Sequence, residues 1–212
     1  MNEPDGNTPQ DALMLMGTHC PYCPGVLKSL QALLASGHIR HLETHNIEEN
    51  PKIARELGVR SVPWVRIGPF ELEGLRSEKE LRKWAVKAAT KTGQTDWLEE
   101  QLSSGNISKP LVRIKSDPAV LDDLLKLFAD PDTQLNTQIA ISAIMEDLKD
   151  TDTLRAVVEQ LGELTQHKDA RVRGDACHYL SLSGSPKAVA FIKPLLDDSD
   201  ANVREIAKES LE

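Results

Sequence analysis

Two patterns of hydrophobic and polar residues divide the chain near Gly93. Before this point, short apolar or alternating runs are separated by stretches with helical spacing, which predicts strands and helices in alternation. The apolar run 12–16 predicts the first strand, and the alternation at 39–47 predicts a second strand with one covered face. The stretch 26–35 between them has the spacing of a helix.

Residues typical of turns and helix ends complete the order of elements in this half. A second helix is expected after Asn50, because asparagine is favoured at the N-terminal cap. Two short runs, 59–67 and 70–74, are joined by Gly and Pro and predict a hairpin. A final helix should follow Ser77, since Glu80 three residues later completes a capping box. The predicted order is β-α-β-α-β-β-α.

In the second half the spacing is helical throughout, and the end of the chain repeats itself. The segment Asp169-Ala170-Arg171-Val172-Arg173 recurs 31 residues later as Asp200-Ala201-Asn202-Val203-Arg204. A weaker third copy has Leu121, Leu124 and Leu127 before Asp132, and Leu135 and Ile139 after it, at the apolar positions of the repeat. A helix pair of this kind cannot cover its own apolar face, so the repeats are expected to stack on one another.

The clearest chemistry lies in Cys20-Pro21-Tyr22-Cys23, at the predicted junction of the first strand and the first helix. A thiolate is the nucleophile in disulfide exchange, and the unpaired N–H groups and dipole of a helix N-terminus favour it. Cys20 is therefore expected to ionise readily. Cys23, one turn further along, is expected to resolve the mixed disulfide that Cys20 forms.

The motif, its position and the later Ser61-Val62-Pro63 resemble the thioredoxin superfamily, and the CPYC form is similar to that of glutaredoxins. The resemblance covers about residues 10–91. It implies an α/β thioredoxin-like fold and a cis peptide bond before Pro63. It also implies a groove in which Tyr22, Val62 and Pro63 bind an extended segment of a substrate.

The repeat at the end of the chain resembles short HEAT-like repeats, whose core is D-x-x-V-R-x-x-A-x-x-x-L. The resemblance implies a thioredoxin-like domain at 1–93 followed by an all-α HEAT-like solenoid at 94–212. Cys177 follows Ala176, a residue of the predicted seam between helices. It is expected to be a small packed side chain rather than a third redox centre.

Two positions differ from the families that the motif resembles. Glutaredoxins carry Gly-Gly and an acidic residue before the last helix to hold glutathione, whereas this chain has Glu73-Gly74-Leu75-Arg76-Ser77. Thioredoxins place a buried Asp six residues before the first cysteine, and here that position is Met14. Glutathione specificity is therefore not indicated, and water or another carboxylate must move the proton of the resolving thiol.

Histidines near the motif suggest two further roles. His19 precedes Cys20, and a protonated ring close to the sulfur would lower the pKa of the thiol. The alternative is an exposed loop histidine whose ring turns away. His38, His41 and His45 lie on or beside the second predicted strand and, with the two cysteines, resemble a set of zinc ligands. The redox motif explains the cysteines better, so neither a metal nor a cofactor is predicted.

Composition and charge narrow the class of protein. The 212 residues are 40% hydrophobic and 27% charged, as in ordinary folded domains. Residues 1–93 contain 12 basic and 11 acidic residues, whereas residues 94–212 contain 13 and 22, which disfavours nucleic acid as a partner. The acidic half permits a basic protein partner or simply keeps the protein in solution.

Location follows from the same composition. The chain has no apolar run of transmembrane length and only three cysteines, and residues 1–11 are polar and acidic rather than basic and then apolar. No membrane association, no secretory signal and a cytoplasmic location are therefore expected.

These observations together predict a thiol-disulfide oxidoreductase that acts on protein disulfides. Its expected partners are a disulfide-containing protein substrate, an electron donor and a protein bound by the helical repeats. The electron donor is expected to be either a protein similar to thioredoxin reductase or glutathione itself. Two alternatives stay open. One is a redox-inactive scaffold or binding protein, and the other is a glutathione-dependent glutaredoxin.

Overall fold

The computed structural model describes residues 8–90 and 92–212. Contacts between residues divide the chain into two compact units, with the division between Gly93 and Gln94. The polar stretch 1–7, on which part of the expectation of no secretory signal rests, lies outside the described residues.

Strands and helices alternate in the first unit in the order that the sequence predicts. They are β1 (Gln10–Met16), α1 (Cys23–Ala35), β2 (Ile39–Asn46), α2 (Pro51–Glu56), β3 (Trp64–Ile67), β4 (Phe70–Glu73) and α3 (Glu78–Ala89). The α/β class is confirmed. Helix α1 begins three residues before the start that the helical spacing predicts. A proline occupies its first turn, where a residue without an N–H group costs no hydrogen bond within the helix, so the proline does not prevent this earlier start.

The four strands form one sheet in the order β2-β1-β3-β4. Strand β1 pairs parallel to β2 and antiparallel to β3, and β3 and β4 form the predicted hairpin. A strand in the middle of a sheet with helices on both faces is buried on both sides. This explains why the run from Ala12 to Leu15 is continuously apolar instead of alternating.

Helices cover both faces of the sheet. On one face, Leu13 and Leu15 pack with Trp64 and with Ala54 of α2. On the other face, α1 and α3 pack together, and the ring centroids of Phe70 and Trp84 of α3 lie 4.9 Å apart. Both tryptophans are buried, as expected of packing residues.

The two predicted helix starts in this unit differ in how they are capped. At α3, Ser77 Oγ accepts a hydrogen bond from Glu80 N at 3.3 Å, and Glu80 Oε2 accepts one from Ser77 N at 2.8 Å. This is the predicted capping box. Asn50 precedes α2 as predicted, but its side chain forms no cap bond there.

The second unit is helical. Its elements are α4 (Gln94–Ser103), α5 (Ser108–Ser116), α6 (Val120–Ala129), α7 (Leu135–Asp147), α8 (Asp152–Ala156), α9 (Val158–Leu164), α10 (Ala170–Leu182), α11 (Ala188–Ile192), a 3₁₀ helix (Lys193–Asp197) and α12 (Ala201–Glu209). The described residues from 92 to 212 contain no strand. The all-α class of this half is confirmed.

The aspartate that opens each strong repeat is a helix cap. Asp169 Oδ1 accepts a hydrogen bond from Arg171 N at the start of α10, and Asp200 Oδ1 accepts one from Asn202 N at the start of α12, each at 2.9 Å. These bonds satisfy one of the N–H groups that a helix leaves unpaired at its N-terminus.

The arginine of each strong repeat holds the preceding turn. Arg173 Nη1 donates to the carbonyl oxygens six and five residues earlier, at 2.9 and 3.2 Å. Arg204 Nη1 makes the equivalent bonds at 2.7 and 3.0 Å. Arg173 also donates from Nε and Nη2 to the two carboxylate oxygens of Asp198, at 2.8 and 2.7 Å. The arginine therefore ties its own turn together and reaches the turn before the next repeat.

The predicted register of the weaker third copy is confirmed before Asp132, where Leu121, Leu124 and Leu127 of α6 are buried, and wrong after it. Leu135 and Ile139 are 71% and 62% exposed. The residues of α7 that are buried are Thr137, Ala140, Ile141, Ile144 and Met145. Helix α7 follows Gln134, while Asp132 belongs to the preceding turn, where its backbone N–H donates to Asp130 Oδ1 at 2.9 Å. In the sequence alone, an aspartate in a turn cannot be distinguished from an aspartate that caps a helix, which explains the wrong prediction after Asp132.

Candidate dithiol site

Cys20 and Cys23 form a disulfide in the loop between β1 and α1 and in the first turn of α1, with their Cα atoms 5.5 Å apart. Cys20 is partly exposed, whereas Cys23 is only 3% exposed. The first cysteine of the motif is therefore the one that a large substrate can reach.

The N-terminus of α1 is aimed at the sulfur of Cys20. The backbone N–H of Cys23 donates to Cys20 Sγ at 3.1 Å. An N–H group in the first turn of a helix has no partner within the helix, so it is free to bind the sulfur. Such a bond is stronger to a thiolate than to a thiol and lowers the pKa of the group that accepts it.

Val62 and Cys20 both lie close to Gly17. A Cβ atom added to Gly17 would lie 3.2 Å from Val62 Cγ2 and 3.8 Å from Cys20 Cβ. The Val62–Pro63 peptide bond is cis, as the resemblance implies. Pro63 is buried, and its carbonyl oxygen accepts a hydrogen bond of 2.9 Å from Gly74 N. The chain thus places the predicted substrate-binding residue Val62 beside the dithiol.

The remaining residues around the motif lie near the surface. Tyr22 is 56% exposed, and its position immediately before Cys23 leaves the ring available to a substrate. His19 is exposed in the turn that precedes Cys20. Leu75, in the stretch where glutaredoxins carry glutathione-binding residues, is also exposed.

A carboxylate that sequence analysis did not identify stands next to the motif. Glu48 Oε2 accepts hydrogen bonds from Thr18 N at 2.6 Å and from the Thr18 hydroxyl. These two bonds lower the pKa of Glu48, the hydroxyl contributing most. Parallel pairing of Met16 with Asn46 could have indicated this contact, since segments that follow two parallel strands meet at one edge of the sheet.

The position of the buried acid in thioredoxins is apolar here. Met14 is fully buried in the central strand β1, between the paired residues Thr44 and Val65. A methionine cannot accept the proton of Cys23.

Two of the three histidines of the possible zinc set, His38 and His45, contact polar side chains near them in sequence. His38 Nδ1 lies 2.9 Å from Ser36 Oγ, and His45 Nε2 lies 2.5 Å from Glu43 Oε1. Within residues 8–90 and 92–212, no group of three or more His, Cys, Asp or Glu side chains is placed to hold a metal ion.

Cys177 lies in the helical unit and is fully buried in α10. Its sulfur donates to Ser210 Oγ at 3.7 Å, and burial raises the pKa of the thiol. These surroundings suit a packed side chain and disfavour a reactive thiolate.

Among the described residues, no helix is both long enough and apolar enough to cross a bilayer.

Known families match two separate parts of the chain. Residues 12–86 match a family model described as a thioredoxin domain. Residues 121–212 match a family model described as HEAT repeats. A comparison with individually curated proteins finds no similar sequence.

Proposed function

We propose that this chain, which joins a thioredoxin-like domain to HEAT repeats, is a thiol-disulfide oxidoreductase that acts on protein disulfides. The observation that carries the proposal is the hydrogen bond from Cys23 N to the sulfur of Cys20, within a bonded pair of cysteines. That bond favours a thiolate at the more exposed of the two sulfurs.

The reaction transfers two electrons from the dithiol to the substrate. The Cys20 thiolate attacks one sulfur of the substrate disulfide, and the other substrate sulfur leaves as a thiolate that takes a proton from water. The thiol of Cys23 then loses its proton to water, and the thiolate attacks Cys20 Sγ. The bond from Cys20 to the substrate breaks, the second substrate thiolate departs, and the Cys20–Cys23 disulfide remains.

The residues around the dithiol have binding and tuning roles in this proposal. Tyr22 and Val62 form the surface against which the substrate segment lies, and the buried Pro63 holds the loop of Val62 in shape for that binding. The exposure of Tyr22 and the closeness of both Val62 and Cys20 to Gly17 support this role. His19 tunes the pKa of Cys20 when its ring is protonated.

Chemistry and choice of partner are divided along the chain. We assign the reaction to residues 1–93 and the binding of a substrate protein or a larger assembly to the helical repeats at 94–212. The proposed compartment is the cytoplasm, with a thioredoxin reductase-like protein or glutathione as the electron donor. If glutathione alone reduces the disulfide again at a physiological concentration, the chain acts as a glutaredoxin.

Trapping of covalent complexes tests the two cysteine roles. Cys23→Ser should accumulate mixed disulfides with substrate proteins, because nothing resolves them, and Cys20→Ser should not. The complexes are detected as bands on non-reducing gels that vanish on reduction. Cys177→Ser serves as the matched control and should trap no complexes. Equal trapping by Cys20→Ser and Cys23→Ser would contradict the assignment, and a wild-type protein that reduces no model disulfide would favour a scaffold.

A further inference from the structure

Glu48, Val62 and Cys20 border one small space beside Gly17. A Cβ atom at Gly17 would lie 3.2 Å from Glu48 Oε1, 3.2 Å from Val62 Cγ2 and 3.8 Å from Cys20 Cβ. A substrate segment that pairs with Val62 while its sulfur meets Cys20 must therefore pass close to the carboxylate of Glu48.

Hydrogen bonds hold the carboxylate in this place. Thr18 binds the Oε2 oxygen through its backbone N–H and its hydroxyl, and Oε1 is the oxygen that approaches Gly17. Asn46 supports both partners, since its Nδ2 donates to Thr18 Oγ1 and its Oδ1 accepts from Glu48 N, each at 2.9 Å. The charge is thus attached to the same segment that carries Cys20.

The carboxylate carries a lasting negative charge. The hydroxyl and backbone N–H of Thr18 lower the pKa of Glu48, and His19 favours the ionised form further when protonated. A carboxyl group with a lowered pKa stays ionised at neutral pH. Glu48 therefore acts as a fixed charge and is poorly suited to carry the proton that Met14 cannot accept.

From this arrangement we infer that Glu48 is a specificity-determining residue, which selects disulfides flanked by cationic side chains over disulfides flanked by anionic ones. The inference rests on the proposed oxidoreductase function. Opposite charges attract and like charges repel as the substrate docks, so one fixed charge changes the two rates in opposite directions. Glutathione disulfide, which bears free carboxylates, falls in the disfavoured class.

The test compares two synthetic peptide disulfides of equal length, one with Lys and one with Glu on both sides of each cysteine. Single-turnover reduction by the reduced full-length protein is followed for both peptides. At low salt the wild type should reduce the Lys peptide about fivefold faster than the Glu peptide. This ratio of rates is expected if one peptide charge comes to about 8 Å from the Glu48 carboxylate in water, where it is attracted in the Lys peptide and repelled in the Glu peptide. Glu48→Gln should bring this ratio close to one, since glutamine keeps an acceptor for Thr18 N and removes the charge.

Glu49→Gln is the matched control, because it removes the same charge from the next residue, which is also exposed. It should leave the ratio as in the wild type. If both peptides are reduced but Glu48→Gln keeps the ratio, or if Glu49→Gln lowers it equally, the inference fails and the proposed function stands. If the wild type reduces neither peptide, the proposed function fails, and the inference fails with it.

Discussion

Three cysteines in this chain have the same side chain and different surroundings. Cys20 is partly exposed, and its sulfur accepts a hydrogen bond from a backbone N–H group of α1. Cys23 forms the disulfide with Cys20 but is buried. Cys177 is buried in α10, with Ser210 as its polar neighbour. Thiolate character and access together set the reactivity of a cysteine. In the reduced protein, reactivity should therefore fall from Cys20 to Cys177.

Alkylation of the reduced native protein should show this order. Burial removes access to Cys177 and raises the pKa of its thiol, so we expect iodoacetamide at pH 7 to modify it roughly a hundredfold more slowly than Cys20. Peptide mass mapping at increasing times measures the two rates. In denaturant all three cysteines should react at similar rates, and equal rates in the native protein would contradict the expectation.

At the scale of elements, most of the fold could be predicted because local patterns determine it. The apolar run of β1, the turn between β3 and β4 and the box of Ser77 with Glu80 all depend on neighbours in sequence. The motif likewise indicated the dithiol. Local pattern also explains why the buried face of α7 was predicted wrongly. In the sequence, Asp132 looks like the aspartates that cap α10 and α12, and only packing against other helices decides which face of α7 is buried.

Glu48 could not be predicted from local pattern at all. Its place beside Thr18 depends on the parallel register of β1 and β2, which pairs residues 30 positions apart in sequence. Acidic residues after a strand are common in exposed turns, so the residue type alone does not indicate a site.

The ion pair of Arg173 and Asp198 connects α10 to the turn before α12, and its contribution to stability can be tested by unfolding. Their side chains are 13% and 8% exposed, and hydrogen bonds from Arg173 lower the pKa of Asp198 to about 2. Asp198→Asn leaves the arginine without its anion and should lower the free energy of unfolding of the helical unit by about 2 to 4 kcal/mol at pH 7. Urea unfolding followed by circular dichroism measures the change.

The pH dependence of this effect has a definite sign. Because the pKa of Asp198 is lower in the folded protein than in the unfolded chain, its stabilisation is complete above about pH 4 and is lost as the pH falls toward 2. The difference between wild type and Asp198→Asn should therefore shrink in acid. Asp197→Asn, a change at the exposed preceding residue, is the control and should cost less than about 0.5 kcal/mol. Equal losses for both variants would contradict the assignment.

At the scale of the whole molecule, charge separates the two proposed tasks. The thioredoxin-like part has nearly balanced charge, whereas residues 94–212 contain 22 acidic and 13 basic residues. Salt screens interactions between exposed charges. It should therefore affect recruitment of a basic partner by the repeats more than exchange with a small uncharged disulfide.

Raising NaCl from about 50 mM to about 500 mM should reduce the yield of complexes trapped by Cys23→Ser severalfold, since the Debye length falls to a few ångströms. The rate with a small uncharged model disulfide should change less than about twofold, because no charged partner approaches. Gel quantification and a plate assay measure the two quantities in parallel. A parallel fall of both would show that salt acts on the dithiol domain.

The arginine bonds of the two strong repeats bear on how such a chain arises. Arg173 and Arg204 each bind carbonyl oxygens only five and six residues earlier, in the turn just before the aspartate that opens each repeat, and the pattern recurs after 31 residues. A tandem duplication of 31 codons would therefore copy the clamp together with the turn that it holds. The array can gain or lose length by unequal recombination without first acquiring new residues to stabilise the added turn.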